Sequence, residues 1–172
     1  GLDAGAFEIV PMIESALGVQ FAYDILTASP RVTSVIIGSA QDGDLQTDLG
    51  ADWSPEGTEL LYARSHILLA ARAAGIDHPM DGVFLGLDDE AGLIQDSENA
   101  RRLGYRGKTV IHPRQIEPVH GVFTPSEKEM TYYRDMIAAF ENAGENAFNF
   151  RGKMIDRAMI RKARGLLDRI AG

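Results

Sequence analysis

Val32-Thr-Ser-Val-Ile-Ile37, stopped by Gly38, is the stretch on which the fold turns. It is rich in β-branched residues and lacks a clean polar alternation, the pattern of a strand buried within a sheet. Upstream, Glu8-Ile-Val-Pro-Met-Ile13 is another apolar run, ending at Glu14-Ser15. Ser15 is a suitable N-cap for a helix through Phe21, Ile25 and Leu26 that stops at Pro30. Downstream, an Asp- and Gly-rich loop spans Gly38 to Gly57, and a long helix is expected from Thr58 to Ala74. Leu60, Ala63, Ile67, Ala70, Ala71 and Ala74 recur at helical spacing and mark its buried face, and Gly75 closes it.

The same alternation continues to the C-terminus. A third strand is expected over Asp81–Gly86, with a helix from about Glu90 to Leu103 that halts at Gly104. A short fourth strand, Lys108–Ile111, runs into His112-Pro113 and a helical turn through Gln115 and Ile116. Ser126 and Glu129 have the spacing of a capping box and open a helix to about Asn142. Gly144–Phe150 reads as a loop, Lys153–Ile155 as a short apolar entry, and Ala158–Ile170 as a final helix. Strands separated by helical crossovers imply an α/β fold with a parallel sheet. Four β/α units are half the complement of a (β/α)8 barrel, which needs about 250 residues. The alternative is a small open α/β sheet. The expected organisation is a β/α domain over residues 1–145 and a C-terminal helical arm over 146–172.

The 172 residues include 17 Lys+Arg, 25 Asp+Glu and no Cys, for a formal net charge of −8. The absence of Cys excludes a disulfide framework, Cys-ligated zinc, an iron–sulfur cluster and a thiol nucleophile. The acidic balance argues against nucleic acid as a partner, because phosphate contacts need basic groups. No uncharged apolar stretch approaches the ~18 residues of a membrane span, and no basic-then-apolar leader opens the chain. A cytoplasmic protein is therefore expected; Gly1 in place of Met suggests a removed start or a piece of something longer. Charge is segregated: residues 151–172 carry +5 and residues 1–150 carry −13. The final segment is either a solvated helix or a basic arm suited to an acidic surface or an anionic ligand.

In parallel β/α folds, working residues lie where strands end. That criterion selects Glu14 after the first strand and Asp42, Asp44 and Asp48 after the second. It also selects Asp88, Asp89 and Glu90 after the third and His112 after the fourth. Glu14 and Asp44 are one β/α repeat apart, and two carboxylates without His or Cys suit a hard cation such as Mg2+. The bland alternative is that they are solvated or cap helices. Asp42-Gly-Asp44 is not an EF-hand start, since Thr47 and Trp53 stand where Gly and Glu are required. No P-loop, zincin or nucleophile-elbow motif is present. His66 reads as a surface or packing residue, and His112 as a turn anchor bonded to backbone or a ligand contact.

Several stretches together resemble the citrate lyase beta-subunit and malyl-CoA lyase family (HpcH/HpaI aldolases). They are Ile13-Glu14-Ser15-Ala16, Asp44-Leu-Gln-Thr-Asp48-Leu-Gly50 and Ser54-Pro-Glu-Gly-Thr-Glu-Leu-Leu-Tyr-Ala-Arg64. Ala70-Ala-Arg-Ala-Ala-Gly-Ile76, Leu103-Gly-Tyr-Arg-Gly-Lys108, Ile111-His-Pro-Arg-Gln-Ile116 and Gly152-Lys-Met-Ile-Asp156 follow in the family's order. The resemblance covers nearly the whole chain and corresponds to the second half of the family's (β/α)8 TIM barrel plus its C-terminal extension. It implies a carbon–carbon lyase that binds Mg2+ and cleaves a 3-hydroxyacyl thioester of the citryl-, malyl- or citramalyl-CoA type. It assigns Glu14 and Asp44 to the metal and the backbone N–H groups of the Gly38–Asp44 loop, with Gly38, Ser39 and Ala40 at its head, to the substrate carboxylate. It assigns Asp156, carried by the arm over a neighbouring subunit, to general acid/base work, and so implies a homo-oligomer. The thioester carrier would be CoA or an acyl-carrier protein. Gly43 and Ala158 depart from the family's pattern, and no residue here matches the substrate arginine of its first half. Two further readings are a non-catalytic half barrel that assembles with itself or with a first half, and a CoA-independent pyruvate aldolase.

Overall fold

The computed structural model describes residues 5–144 and 146–171. Residues Gly1–Phe123 and Thr124–Gly172 form two compact units. This division lies earlier than the 145/146 boundary expected from sequence. The reason is packing: the helix Glu127–Asn142 shares a core with the C-terminal segment, through Met136 and Phe140 against Ile155, Ile160 and Ala163.

The first unit is a four-stranded parallel sheet in the order β1 (Met12–Ile13), β2 (Ser34–Ile37), β3 (His78–Asp81) and β4 (Gly107–Lys108). The crossovers are α1 (Ala16–Gln20) and α2 (Ala22–Thr27), then α3 (Asp44–Leu49) and α4 (Leu61–Ala73), then α5 (Glu90–Leu103). After β4 come a 3-10 turn over Pro113–Gln115 and α6 (Ile116–Phe123). The alternation of β and α elements is thus as the hydrophobic pattern requires. Ser15 caps α1 by accepting from Gly18 N–H at 3.1 Å, but the expected single helix is broken at Phe21 into α1 and α2.

One face of the sheet meets the helices. Ile13, Val35 and Ile37 pack with Val19, Leu26, Leu60, Ala63, Ile67 and Ala71 into one core. Each fully buried Leu or Ile contributes roughly 1.5–3 kcal/mol by leaving water. The register pairs Met12 with Ile36 and Ile36 with Met80, and side chains alternate along each strand, so these three form a row on the opposite face. Met12 is half exposed there, and Ile36 and Met80 are partly buried.

Two strand boundaries differ from expectation. β3 is His78–Asp81, not Asp81–Gly86. Gly82 is where the chain leaves the sheet: a Cβ there would collide with Ile37 O and Ser39 Oγ and lie 2.8 Å from Ser39 N. β4 ends at Lys108 rather than Ile111. Beyond it the backbone is held by a side chain, Gln115, which accepts from Ile111 N–H at 3.0 Å and donates to Phe84 O at 2.8 Å.

The second unit contains α7 (Glu127–Asn142), β5 (Phe148–Phe150), β6 (Lys153–Ile155) and α8 (Arg157–Ala171). The capping box of α7 is present in both directions. The expected loop before Phe150 is partly a strand: β5 and β6 form a hairpin, with Phe148 opposite Ile155 and Phe150 opposite Lys153. Its two-residue turn has positive φ at Arg151 (50°) and Gly152 (83°), the backbone that matches strand twist. Arg151 compensates for its unusual conformation by pairing with Asp135 at 2.7 Å and lying over the rings of Tyr132 and Phe150.

Candidate functional site

The C-terminal ends of the four strands carry two sets of charged groups. The first set is open. Glu14 follows β1 directly, and its side chain lies across the exit of β2. A Cβ on Gly38 would stand 2.5 Å from Glu14 Cβ and 3.2 Å from Glu14 Oε2, so only glycine leaves room. Asp44 is the first residue of α3, seven positions after β2. The expected loop thus contains a short helix, and Asp48 on it accepts from Ala16 N–H at 2.6 Å. That bond ties α3 to the start of α1, beside Glu14. Glu14 and Asp44 are both exposed and have no hydrogen-bond or ion-pair partner among the described residues. Two free carboxylates on adjacent crossovers fit Mg2+, which takes one or two carboxylates and keeps several waters. No group of three or more His, Cys, Asp and Glu side chains gathers among the described residues, so a closed all-protein metal cage is not present there.

The loop between these carboxylates is largely self-satisfied. Gly38 N–H donates to Ile13 O at 2.8 Å and Ser39 N–H to Ile37 O at 3.0 Å. Asp42, with φ of 56°, donates its N–H to Gln46 Oε1 at 2.8 Å, and Gly43 N–H donates to Ala40 O at 3.1 Å. The N–H groups of Ala40 and Gln41 are left without a partner among the described residues. The donors available to an anionic ligand are therefore at Ala40 and Gln41, while Gly38 and Ser39 shape the turn.

The second set is closed, and the sequence reading misses it. Asp81 ends β3 and is fully buried. Its Oδ1 accepts from Arg64 Nε at 3.0 Å and its Oδ2 from Lys108 Nζ at 2.7 Å. Asp96 of α5 accepts from Arg64 Nη2 at 2.9 Å and also from Lys108 Nζ. Arg64 Nη2 reaches Ser39 Oγ at 3.4 Å, and Tyr105 OH donates to Arg64 O at 2.9 Å. Burial by itself would push the Asp96 carboxyl up, but Lys108 and Arg64, by charge and hydrogen bonds, together hold it below the usual carboxylate range. Burial likewise weighs against the Arg64 cation, and the carboxylates of Asp81 and Asp96 more than offset it. Burial also raises the Tyr105 hydroxyl, so it stays a neutral donor. A signal was present: Arg64 and Lys108 interrupt otherwise apolar or strand-end positions, and Arg64 lies beside Ala63 on the buried stripe of α4.

Asp96 and Ser39 also line a cavity of about 230 Å³, walled by Gln41, Trp53, Phe84 and Asp89. The remaining strand-end candidates have local duties. Asp89 caps α5 through Gly92 N–H at 2.9 Å, and Asp88 pairs with Arg114 at 3.2 Å in solvent. His112 accepts from Arg114 N–H at 3.1 Å, the turn-anchoring bond expected of it. His66 stacks on Tyr62 with ring centres 5.5 Å apart. In the second unit, Asp156 is exposed and its Oδ1 accepts from the N–H groups of Ala158 (2.9 Å) and Met159 (3.0 Å), opening α8.

Comparison with known proteins then bears on this geometry. A family model described as HpcH/HpaI aldolase/citrate lyase matches residues 1–113, and one described as a C-C bond lyase of the TIM-barrel fold matches residues 65–169. Citrate lyase subunit beta of Leuconostoc mesenteroides subsp. cremoris is 40% identical over 170 residues, covering 97% of this chain and 55% of that protein. Human mitochondrial citramalyl-CoA lyase is 33% identical over 166 residues, covering 90% of this chain and 48% of that protein. A crystal structure of CitE from Mycobacterium tuberculosis, in complex with magnesium, acetoacetate and coenzyme A, superposes with a TM-score of 0.81 at 29% identity. It covers 96% of this chain and 61% of that one. The chain spans about half the length of the curated relatives it matches. Its four parallel β/α units are thus part of a TIM-barrel lyase fold.

Proposed function

This chain belongs to the HpcH/HpaI aldolase/citrate lyase family, and on that premise we propose that it serves a Mg2+-dependent carbon–carbon lyase acting on a 3-hydroxyacyl thioester. The products are a 2-oxo acid and an acyl thioester, with CoA or a carrier protein bearing the thioester. The observation that carries the reading is the pair of exposed, unengaged carboxylates, Glu14 and Asp44, on adjacent strand-end crossovers. They would hold Mg2+, which when bound supplies positive charge favouring the deprotonated substrate hydroxyl. The Ala40 and Gln41 N–H groups orient the substrate carboxylate, since fixed donors cost no reorganisation during the reaction. Asp156, carried by the arm of a neighbouring copy, is the group we assign to move the hydroxyl proton; its Oδ1 caps α8 and its Oδ2 has no partner among the described residues. The acyl carrier is anionic, which suits the basic segment 151–172. A cytoplasmic, homo-oligomeric protein is part of the same proposal. No helix among the described residues is long and apolar enough to cross a membrane.

The test is release of a 2-oxo acid from citryl-, malyl- and citramalyl-CoA, with Mg2+ and with EDTA. Turnover that needs Mg2+ and is lost in both Glu14→Gln and Asp44→Asn supports the assignment. Full turnover in either variant removes it. A second reading, a binding or assembly module without its own turnover, is favoured by the exposed Met12 on the outer strand β1. It predicts no turnover with any of the three thioesters and self-association in sedimentation.

A further inference from the structure

The buried ion cluster reaches the turn that borders Glu14 at one residue. Ser39 is buried at the exit of β2 and is confined from two sides. Arg64 Nη2 stands 3.4 Å from Ser39 Oγ, while Gly82 passes so close that any side chain there would strike Ser39 Oγ. On one flank of Ser39, Gly38 leaves the room that the Glu14 side chain occupies; on the other, Ala40 has an N–H without a partner among the described residues. Arg64 itself has no freedom to follow Ser39, because Asp81 and Asp96 hold its Nε and Nη2. Lys108 already supplies a second positive charge to both carboxylates, so charge alone does not explain an arginine at 64. The planar fork does: one guanidinium reaches Asp81, Asp96 and Ser39 at once, which a lysine ammonium on a flexible stem does not reproduce.

We propose that Arg64 is a positioning residue that acts through Ser39 to set the Gly38–Gln41 turn, and thereby the places of the Glu14 carboxylate and the Ala40 N–H. Its consequence for turnover rests on the lyase reading above; its consequence for the turn does not. The experiment compares the unmodified chain with Ser39→Ala, Arg64→Lys and the double variant. It reads amide hydrogen exchange at Gly38 and Ser39, and Mn2+ affinity by electron paramagnetic resonance. Each single change should speed exchange at these two amides by about ten-fold, as local opening becomes easier. Each should also weaken Mn2+ about ten-fold, the scale seen when a metal ligand loses its support. The double variant should be no worse than the worse single one, because both changes cut the same contact. The urea midpoint of Ser39→Ala should stay in place, which separates positioning from general stability. Wild-type exchange in Ser39→Ala, or losses that multiply in the double variant, would overturn the proposal. If the unmodified chain binds no Mn2+, the metal reading fails and exchange at Gly38 and Ser39 decides the positioning role. If Arg64→Lys does not fold, Ser39→Ala decides it alone.

Discussion

Glu14 and Asp44, after β1 and β2, stand in solvent without partners; Asp81 and Asp96, at the end of β3 and on α5, are enclosed by Arg64 and Lys108. All four are carboxylates near the same end of one parallel sheet. The difference is what packs over them. β1 is an outer strand with short helices after it, so its exit stays open, whereas α4 and α5 close over the end of β3. An open carboxylate keeps its lone pairs for a ligand. An enclosed one spends them on cations that were desolvated with it, and its use is to hold backbone in place. Charge at a strand end is thus open to direct ligation only while it remains unpaired.

The sharpest way to break the contrast is Asp81→Ala. It leaves Arg64 and Lys108 buried with one carboxylate between them, and should cost about 3–5 kcal/mol in urea denaturation. An effect within the range of ordinary surface changes would show the cluster to be wet and loosely held. Gly82→Ala comes next. Its Cβ meets the backbone of Ile37 and Ser39, so a loss of about 1–3 kcal/mol is expected, as for an overpacked site. Acid should then separate the two sets. The Asp96 carboxyl is held below its ordinary value in the folded chain, so its contribution is complete above the unfolded value, about 3.9. It is lost as pH falls through that value towards the lower folded one. Asp96→Asn should flatten this part of the stability–pH curve, and an unchanged curve would count against the enclosure. The smallest stability effect belongs to the open set: Glu14→Gln and Asp44→Asn should each stay within about 0.5 kcal/mol of the unmodified chain. Their expected loss is in Mn2+ affinity, so a stability loss comparable to that of Asp81→Ala would show them to be structural.

Much of the framework is legible along the chain. The stripe on α4, the stop at Gly38, the capping box at Ser126 and the Ser15 cap all come from groups within a few residues of one another. The misplaced β3 has a clear cause. Val83-Phe-Leu85 is the apolar run that draws the expected strand to Asp81–Gly86, while the strand that forms contains Pro79, a residue costly inside a sheet. In the fold Pro79 keeps its useful half, accepting from Arg106 N–H at 3.0 Å, and the close approach at Gly82 turns the apolar run off the sheet. The β5–β6 hairpin is hidden because Arg151-Gly152 lacks the Asn-Gly or Asp-Gly turn signal. Its arginine is made acceptable by Asp135, Tyr132 and Phe150, none of them within the turn itself.

By itself the sequence determined the alternation of four parallel strands with their main helices, most helix starts, and the two carboxylates that follow β1 and β2. Periodicity and capping act over three to four residues, so they can be read in one dimension. The tertiary structure decided which charges are available. Arg64 meets Asp81 from 17 positions away and Asp96 from 32, and Lys108 meets Asp81 from 27. Whether a carboxylate is a ligand or a strut depends on its desolvation and its partners, and both are set only when distant elements close over it.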